Sequence, residues 1–229
     1  MFGEAFEDAA VGRMSSAEQL TCALLGNADL KAQILAAYMP LVYGRARVAY
    51  QEHCPIGELL ERGEDAHLEF KSTLRTSAET GELARHLESA CLKSLAAFLN
   101  SREGGTLLIG VRDDGTPHGL ADDFATLAKA GKEDKDLFGL HLSQILINSV
   151  GEAASVNVTT TYHAVDDKAI CRVHVKPSGH PVDATIRVLD KNGQLQKKTA
   201  FFVRINNGTR EIASDVEKQK YIASRWPSS

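Results

Sequence analysis

The run Thr106-Leu107-Leu108-Ile109-Gly110-Val111 constrains this chain more than any other stretch. It is short, almost unbroken in its apolar character, entered through Gly104-Gly105 and left through Asp113-Asp114-Gly115, so it reads as a central strand covered on both faces. Such a strand needs neighbours. Upstream, apolar and polar residues alternate from His67 to Leu74, which puts Leu68, Phe70 and Leu74 on one face and His67, Glu69, Lys71 and Thr73 on the other. Between the two strands Leu83, Leu87, Cys91, Leu95 and Phe98 recur at helical spacing, with Arg85, Ser89 and Lys93 at intervals of four on the opposite side. The unit expected over Glu64 to Gly119 is therefore strand, helix, strand, with carboxylates at one end.

Those carboxylates are Glu64, Glu69 and Asp113. Glu64 and Glu69 lie five positions apart, so in one continuous strand they would face opposite ways; they converge only if the chain bends between Gly63 and Ala66. Three carboxylates gathered at strand ends form a hard-oxygen site suited to magnesium or manganese, ions that keep several waters and bind phosphate oxygens. The bland alternative makes Glu64 a cap, Glu69 a salt-bridged strand residue and Asp113-Asp114-Gly115 a tight turn. Whether Asp113 or Asp114 is the third carboxylate stays open. Lys71, Arg85, Lys93, Arg204 and Arg210 are the candidate phosphate contacts, and Asn206-Asn207-Gly208 between the last two reads as a turn.

Around this unit the chain reads as a small helical extension, residues 1–55, followed by a main domain over 56–229. Helices are expected over 17–25 and from Asp29 onward with a break at Pro40; they pack on the main domain, form a homodimer surface, or are a linker left from a longer protein. Ile56 to Arg62 reads as a short helix stopped by Gly63. Leu120 to Lys135, with Asp122-Asp123, reads as a solvated connection with one helical turn, and Leu137 to Val150 as an amphipathic helix whose His141 is a surface residue or an outer support rather than a ligand. Strands follow: Val156 to Tyr162, Ala169 to Val175 after a turn at Asp166-Asp167, and a hairpin of Ala184 to Leu189 and Leu195 to Ile205 closed by Lys191-Asn192-Gly193. Ser214 and Asp215 cap a last helix running to Trp226.

Composition adds exclusions. A net charge of -4 gives no global signal for nucleic acid, yet Lys168 to Arg225 carries twelve Lys and Arg against five Asp and Glu. Aromatic residues make up only 6%, which argues against base stacking as the main source of affinity and for recognition of shape and backbone charge. Cys22, Cys54, Cys91 and Cys171 are scattered with no C-x-x-C pair, so neither a zinc site nor a disulfide framework is expected, and a reducing, cytoplasmic setting is the default. No apolar run is long enough to cross a bilayer and no signal-peptide pattern opens the chain. Phosphate-loop, dinucleotide, Gly-x-Ser-x-Gly and His-Glu-x-x-His patterns are all missing, so no nucleotide cofactor is expected.

The ordered blocks E-x4-E-F-K from Glu64, the helix ending Ala97-Phe98-Leu99-Asn100, and Gly104-Gly105-Thr106-Leu107-Leu108-Ile109-Gly110-Val111 with Asp113-Asp114-Gly115 resemble the Schlafen AlbA_2 domain family. The segment Phe202 to Glu211, with Tyr221-Ile222 and Arg225-Trp226, is similar to that family's closing motif, and the match runs from about Ile56 to Trp226. One departure is Arg112, where many relatives carry an acidic residue. The resemblance implies an α+β fold, a mixed β-sheet with packed helices. It implies a nucleic-acid-binding domain and a metal-dependent endoribonuclease acting on structured RNA such as transfer RNA, with Glu64, Glu69 and Asp113 as its catalytic and metal-binding residues. The alternative is a DNA- or RNA-binding module without turnover in a regulatory or defence protein.

Overall fold

The computed structural model describes residues 54–227, and the extension expected over 1–55, with the homodimer surface assigned to its helices, lies outside the described residues except for its last two. The chain runs α1 (Ile56–Arg62), β1 (Leu68–Lys71), a 3-10 turn (Arg85–Leu87), α2 (Glu88–Asn100), β2 (Gly105–Ile109), α3 (Ala121–Ala125), α4 (Asp134–Val150) and α5 (Glu152–Ser155). Then come β3 (Val158–Val165), β4 (Lys168–Val175), β5 (Asp183–Leu189), β6 (Leu195–Ile205), β7 (Gly208–Glu211) and α6 (Asp215–Arg225). The fold is α+β. One sheet has the order β1-β2-β4-β3, and a second, three-stranded sheet has the order β5-β6-β7.

The apolar run is a central strand because it is paired on both edges, parallel to β1 and antiparallel to β4. Its alternate residues feed two cores. Leu108 joins Leu68, Phe70, Ile170 and Leu59 of α1 on one face, while Leu107 and Ile109 join Leu95 and Phe98 of α2 and Phe138 and Leu142 of α4 on the other. The second sheet is tied to α2 by a buried amide: Asn100 Nδ2 donates to the carbonyls of Val182 and Phe202, and its Oδ1 accepts from Val182 N–H, each at 2.9 Å. That is the physical task of the Asn ending A-F-L-N. Helix α6 docks through polar ties, with Tyr221 Oη donating to Asn100 O and Trp226 Nε1 donating to Ser178 O.

Gly105 is required by close packing rather than by its dihedral. A Cβ there would lie 2.3 Å from the Phe98 ring, so α2 can cross β2 at this point only over a bare backbone. Gly105→Ala is expected to cost about 1–3 kcal/mol by overpacking; chemical denaturation that moves by only a few tenths would show that α2 shifts freely.

Three expectations are corrected. The first strand ends at Lys71, so Leu74 does not share a face with Leu68 and Phe70 but packs in the opposite core. Helix α2 starts at Glu88, and Leu83, expected in its buried stripe, is 47% exposed. The strand does not run on because of Asp123, expected in a solvated connection and found 1% exposed. Its carboxylate accepts from Leu74 N–H at 2.7 Å, Arg75 N–H at 3.0 Å and Thr76 Oγ1 at 2.9 Å, so a side chain replaces the ladder that would have prolonged the strand.

Candidate functional site

The bend expected after Gly63 is present. Asp65 and Leu68 pair in an isolated bridge, and Asp65 Oδ1 accepts from His67 N–H at 2.7 Å, which turns the chain back on itself. Glu64 thereby comes alongside β1, where its Oε1 accepts from Phe70 N–H at 2.8 Å. Helix α1 also approaches the loop after β2: a Cβ on Gly115, at φ 83°, would lie 2.7 Å from Leu60 O. In that loop Asp114 Oδ1 accepts from Thr116 N–H and Thr116 Oγ1, and these bonds hold its carboxyl below the usual range. Asp114 closes the turn. Asp113 is exposed and accepts no hydrogen bond from the described residues; it lines an open depression of about 560 Å³ with Ser72, Glu79 and Arg112.

Glu64 senses both other carboxylates. Burial raises its pKa; the bond from Phe70 opposes that, the charge of Glu69 adds to it, Lys71 opposes it again, and Asp113 contributes a further rise. A raised carboxyl is a linkage statement: the fold disfavours the ionised form, so the penalty is present above the folded pKa and absent below the unfolded one. Glu64→Gln is expected to unfold at a higher temperature than wild type at pH 8 without divalent ions, with the two curves meeting near pH 4. A gap that persists unchanged at pH 4 would mean that charge is not its origin.

Glu69 is in a different state. It is buried, Oε1 accepts from Lys71 Nζ at 2.7 Å and Ser94 Oγ at 3.3 Å, and Oε2 accepts from Arg204 Nη1. Burial alone would raise its pKa, but the hydrogen bonds and charges of Lys71 and Arg204 outweigh it and hold the carboxyl below the usual range. Lys71 also donates to Phe70 O at 2.6 Å. Arg204, expected at a phosphate, has a side chain only 3% exposed; it bonds Glu69, Thr209 Oγ1 and Asp65 O and sits 4.9 Å from the centre of the Phe98 ring. Arg85 and Arg210 are exposed, Lys93 is half-buried, and none of the three forms an ion pair with the described residues. Among the described residues, no three Asp, Glu, His or Cys side chains are grouped closely enough to hold a metal ion together.

Several participants escaped sequence reasoning. Ser94 and Thr209 brace Glu69 and Arg204, with no spacing that marks them. His141, expected as a surface residue or an outer support, contacts the buried Glu88 at 2.8 Å, and Arg75 Nε, which no spacing marks, lies 3.4 Å from the same oxygen. The described cysteines are free and buried, which pushes the Cys91 thiol up to about 12 and removes it as a nucleophile at neutral pH.

The fold and site define an α+β domain with a partly buried carboxylate group on a mixed sheet, braced by a lysine of the same sheet and by an arginine from the second. The family model described as Schlafen, AlbA_2 matches residues 64–213, and the chain belongs to that family, which ties it to a nucleic-acid-related function. Among solved structures, the DIP2311 protein from Corynebacterium diphtheriae is similar at a TM-score of 0.46 and 15% identity, over 80% of this chain and 33% of that one. The chain thus spans about a third of that protein's length. No curated protein matches the chain. Among the described residues, no helix is long and apolar enough to cross a membrane.

Proposed function

We propose that this protein is a metal-dependent endoribonuclease acting on structured RNA such as transfer RNA, working from the Glu64, Glu69 and Asp113 end of the sheet. The observation that carries the reading is the bend that lays the half-buried Glu64 beside β1, its Oε1 on Phe70 N–H, where burial and the charges of Glu69 and Asp113 raise its carboxyl. A half-buried carboxyl whose ionisation is opposed by neighbouring negative charge is a place where a cation is welcome. The donors fit a hydrated magnesium or manganese ion held by Glu64 and Asp113, since such ions are commonly bound by one or two carboxylates with water and phosphate completing the shell. Glu69 fits less well as a direct ligand, because both its oxygens already accept protein hydrogen bonds. The ion would supply an activated water or stabilise the leaving oxygen.

The residues have separable tasks. Arg204 and Lys71 fix Glu69 and balance its charge, so the acidic group survives folding. Asp113, on the exposed loop, meets the solvent from which water and phosphate arrive. Of the five cations expected at phosphate, Arg85, Lys93 and Arg210 are left to meet it, Arg204 and Lys71 being engaged with Glu69.

A binding module without turnover is the second reading, and the engaged state of Glu69 favours it. Transfer RNA incubated with manganese or magnesium separates the two. Removing even an outer partner of a metal ligand commonly costs about 10- to 100-fold, so Glu64→Gln and Asp113→Asn are expected to slow cleavage by roughly a hundredfold or more while RNA is still retained. Intact RNA with the wild type leaves the binding module. Glu69→Gln is the poorer probe, because it also unbalances a buried ion pair.

A further inference from the structure

The hairpin of β5 and β6 carries charge that the fold does not use. Ala184, Ile186 and Val188 of β5 pack inward, while the first five residues of β6, Leu195 to Thr199, are all exposed. On the other face the pairing register stacks three cross-strand pairs: Thr185 opposite Thr199, Arg187 opposite Lys197, and Leu189 opposite Leu195. Like charges directly opposite each other destabilise a strand pair. The side chains of Arg187 and Lys197 have neither a carboxylate partner nor a hydrogen bond among the described residues. The nearest acid along the chain, Asp190, is taken up by the turn, where it accepts from Asn192 N–H, Gln194 N–H and Gln196 Nε2. Lys191 at the tip adds a third cation. Beyond the charged pair the two leucines are 50% and 47% exposed.

The ribbon is also held in place. Ser89 Oγ of α2 donates to Arg187 O at 2.6 Å and accepts from Arg187 N–H at 3.0 Å, which pins the outer edge of β5 at the charged layer. The turn bonds of Asp190 brace the tip. A cation on an edge strand blunts unwanted strand pairing, but one lysine does that, and a doubled charge beside an exposed apolar pair calls for another account. Strand β6 runs on from Lys197 to Arg204, the partner of Glu69, so the charged pair stands about 24 Å along the strand from the acidic site at roughly 3.4 Å per residue.

We propose that this ribbon is the arm that grips the base-paired part of the RNA, with Arg187, Lys191 and Lys197 on phosphates and the Leu189 and Leu195 pair against the wide, shallow groove. This rests on the RNA reading above and adds the surface and the kind of RNA. An A-form duplex presents sugar edges and 2′-hydroxyls in that groove, which suits an apolar pair next to the charged pair, with the hydroxyls of Thr185 and Thr199, themselves 2.8 Å apart, on the far side of the charges.

The test measures binding of an RNA stem-loop and of an unstructured RNA of equal length at several salt concentrations with chelator present. Wild type is compared with the triple variant Arg187→Gln, Lys191→Gln, Lys197→Gln. Each phosphate contact contributes about 0.7–0.9 to the slope of log affinity against log salt, so the slope for the stem-loop is expected to fall by roughly 2–3 with melting not lowered, since the opposed charges destabilise the strand pair. An unchanged slope, with wild type binding normally, overturns the ribbon and leaves the function standing. Equal losses on both RNAs overturn the base-paired partner. If wild type holds no RNA even at low salt, the functional reading fails and the ribbon with it.

Discussion

Arg204→Ala is expected to destabilise the protein by about 3–5 kcal/mol, the usual consequence of stripping one partner from a buried ion pair and leaving the other charge inside. The geometry puts the pair in that class: the Arg204 side chain is 3% exposed and that of Glu69 11%, and the guanidinium also bonds Thr209 Oγ1 and Asp65 O. Lys71 remains as a counter-charge for Glu69, which places the loss toward the lower end. Urea denaturation measures it, and a change under about 1 kcal/mol, the range of exposed pairs, would contradict the buried assignment. The pair has a pH signature as well. Because the Glu69 carboxyl is held low, its contribution is present above the ordinary glutamate range and is lost as pH falls through the folded value. Wild type should therefore lose stability on acidification more steeply than Arg204→Ala.

Asp123→Ala is the second large effect. One carboxylate serves two backbone N–H groups and a hydroxyl, all buried, and each donor left without a partner costs about 1–3 kcal/mol. Some of that is recovered as the 72–84 segment loosens, so the expected loss is about 3–5 kcal/mol. Asp122→Ala is the control: its residue is exposed and the change should stay within about 0.5 kcal/mol. Similar losses for the two would remove Asp123 as the anchor. Amide exchange at Leu74 and Arg75 reports the same event locally, because those protons should be among the slower ones in wild type and fast in the variant.

How much of this could be read from the residues depends on the range of the interaction that decides each point. The central strand, the short helix before Gly63, the Asn-Gly hairpin and the Ser214 cap were legible because each follows from periodicity or from chemistry within a few residues. The bend that brings Glu64 back beside β1 was legible too, since an odd spacing on a strand leaves no other way for Glu64 to meet Glu69. The family was legible from several motifs in fixed order, and the match over residues 64–213 agrees with it.

The end of β1, the burial of Asp123 and the fate of Arg204 were not legible. Each depends on a partner 47 to 135 residues away, and sequence separation says nothing about which side chain will arrive. Arg204 in the sequence is one cation in a basic segment; in the tertiary structure it joins Lys71 in keeping Glu69 charged. The amino-acid order by itself determined the strand and helix periods, the turn sites and the supply of acidic and basic groups, because these are local properties of backbone sterics and side-chain polarity. Only the packing of the second sheet against α2 decided which charges are neutralised inside and which stay on the surface. That choice depends on desolvation, which exists only once the chain has closed around them.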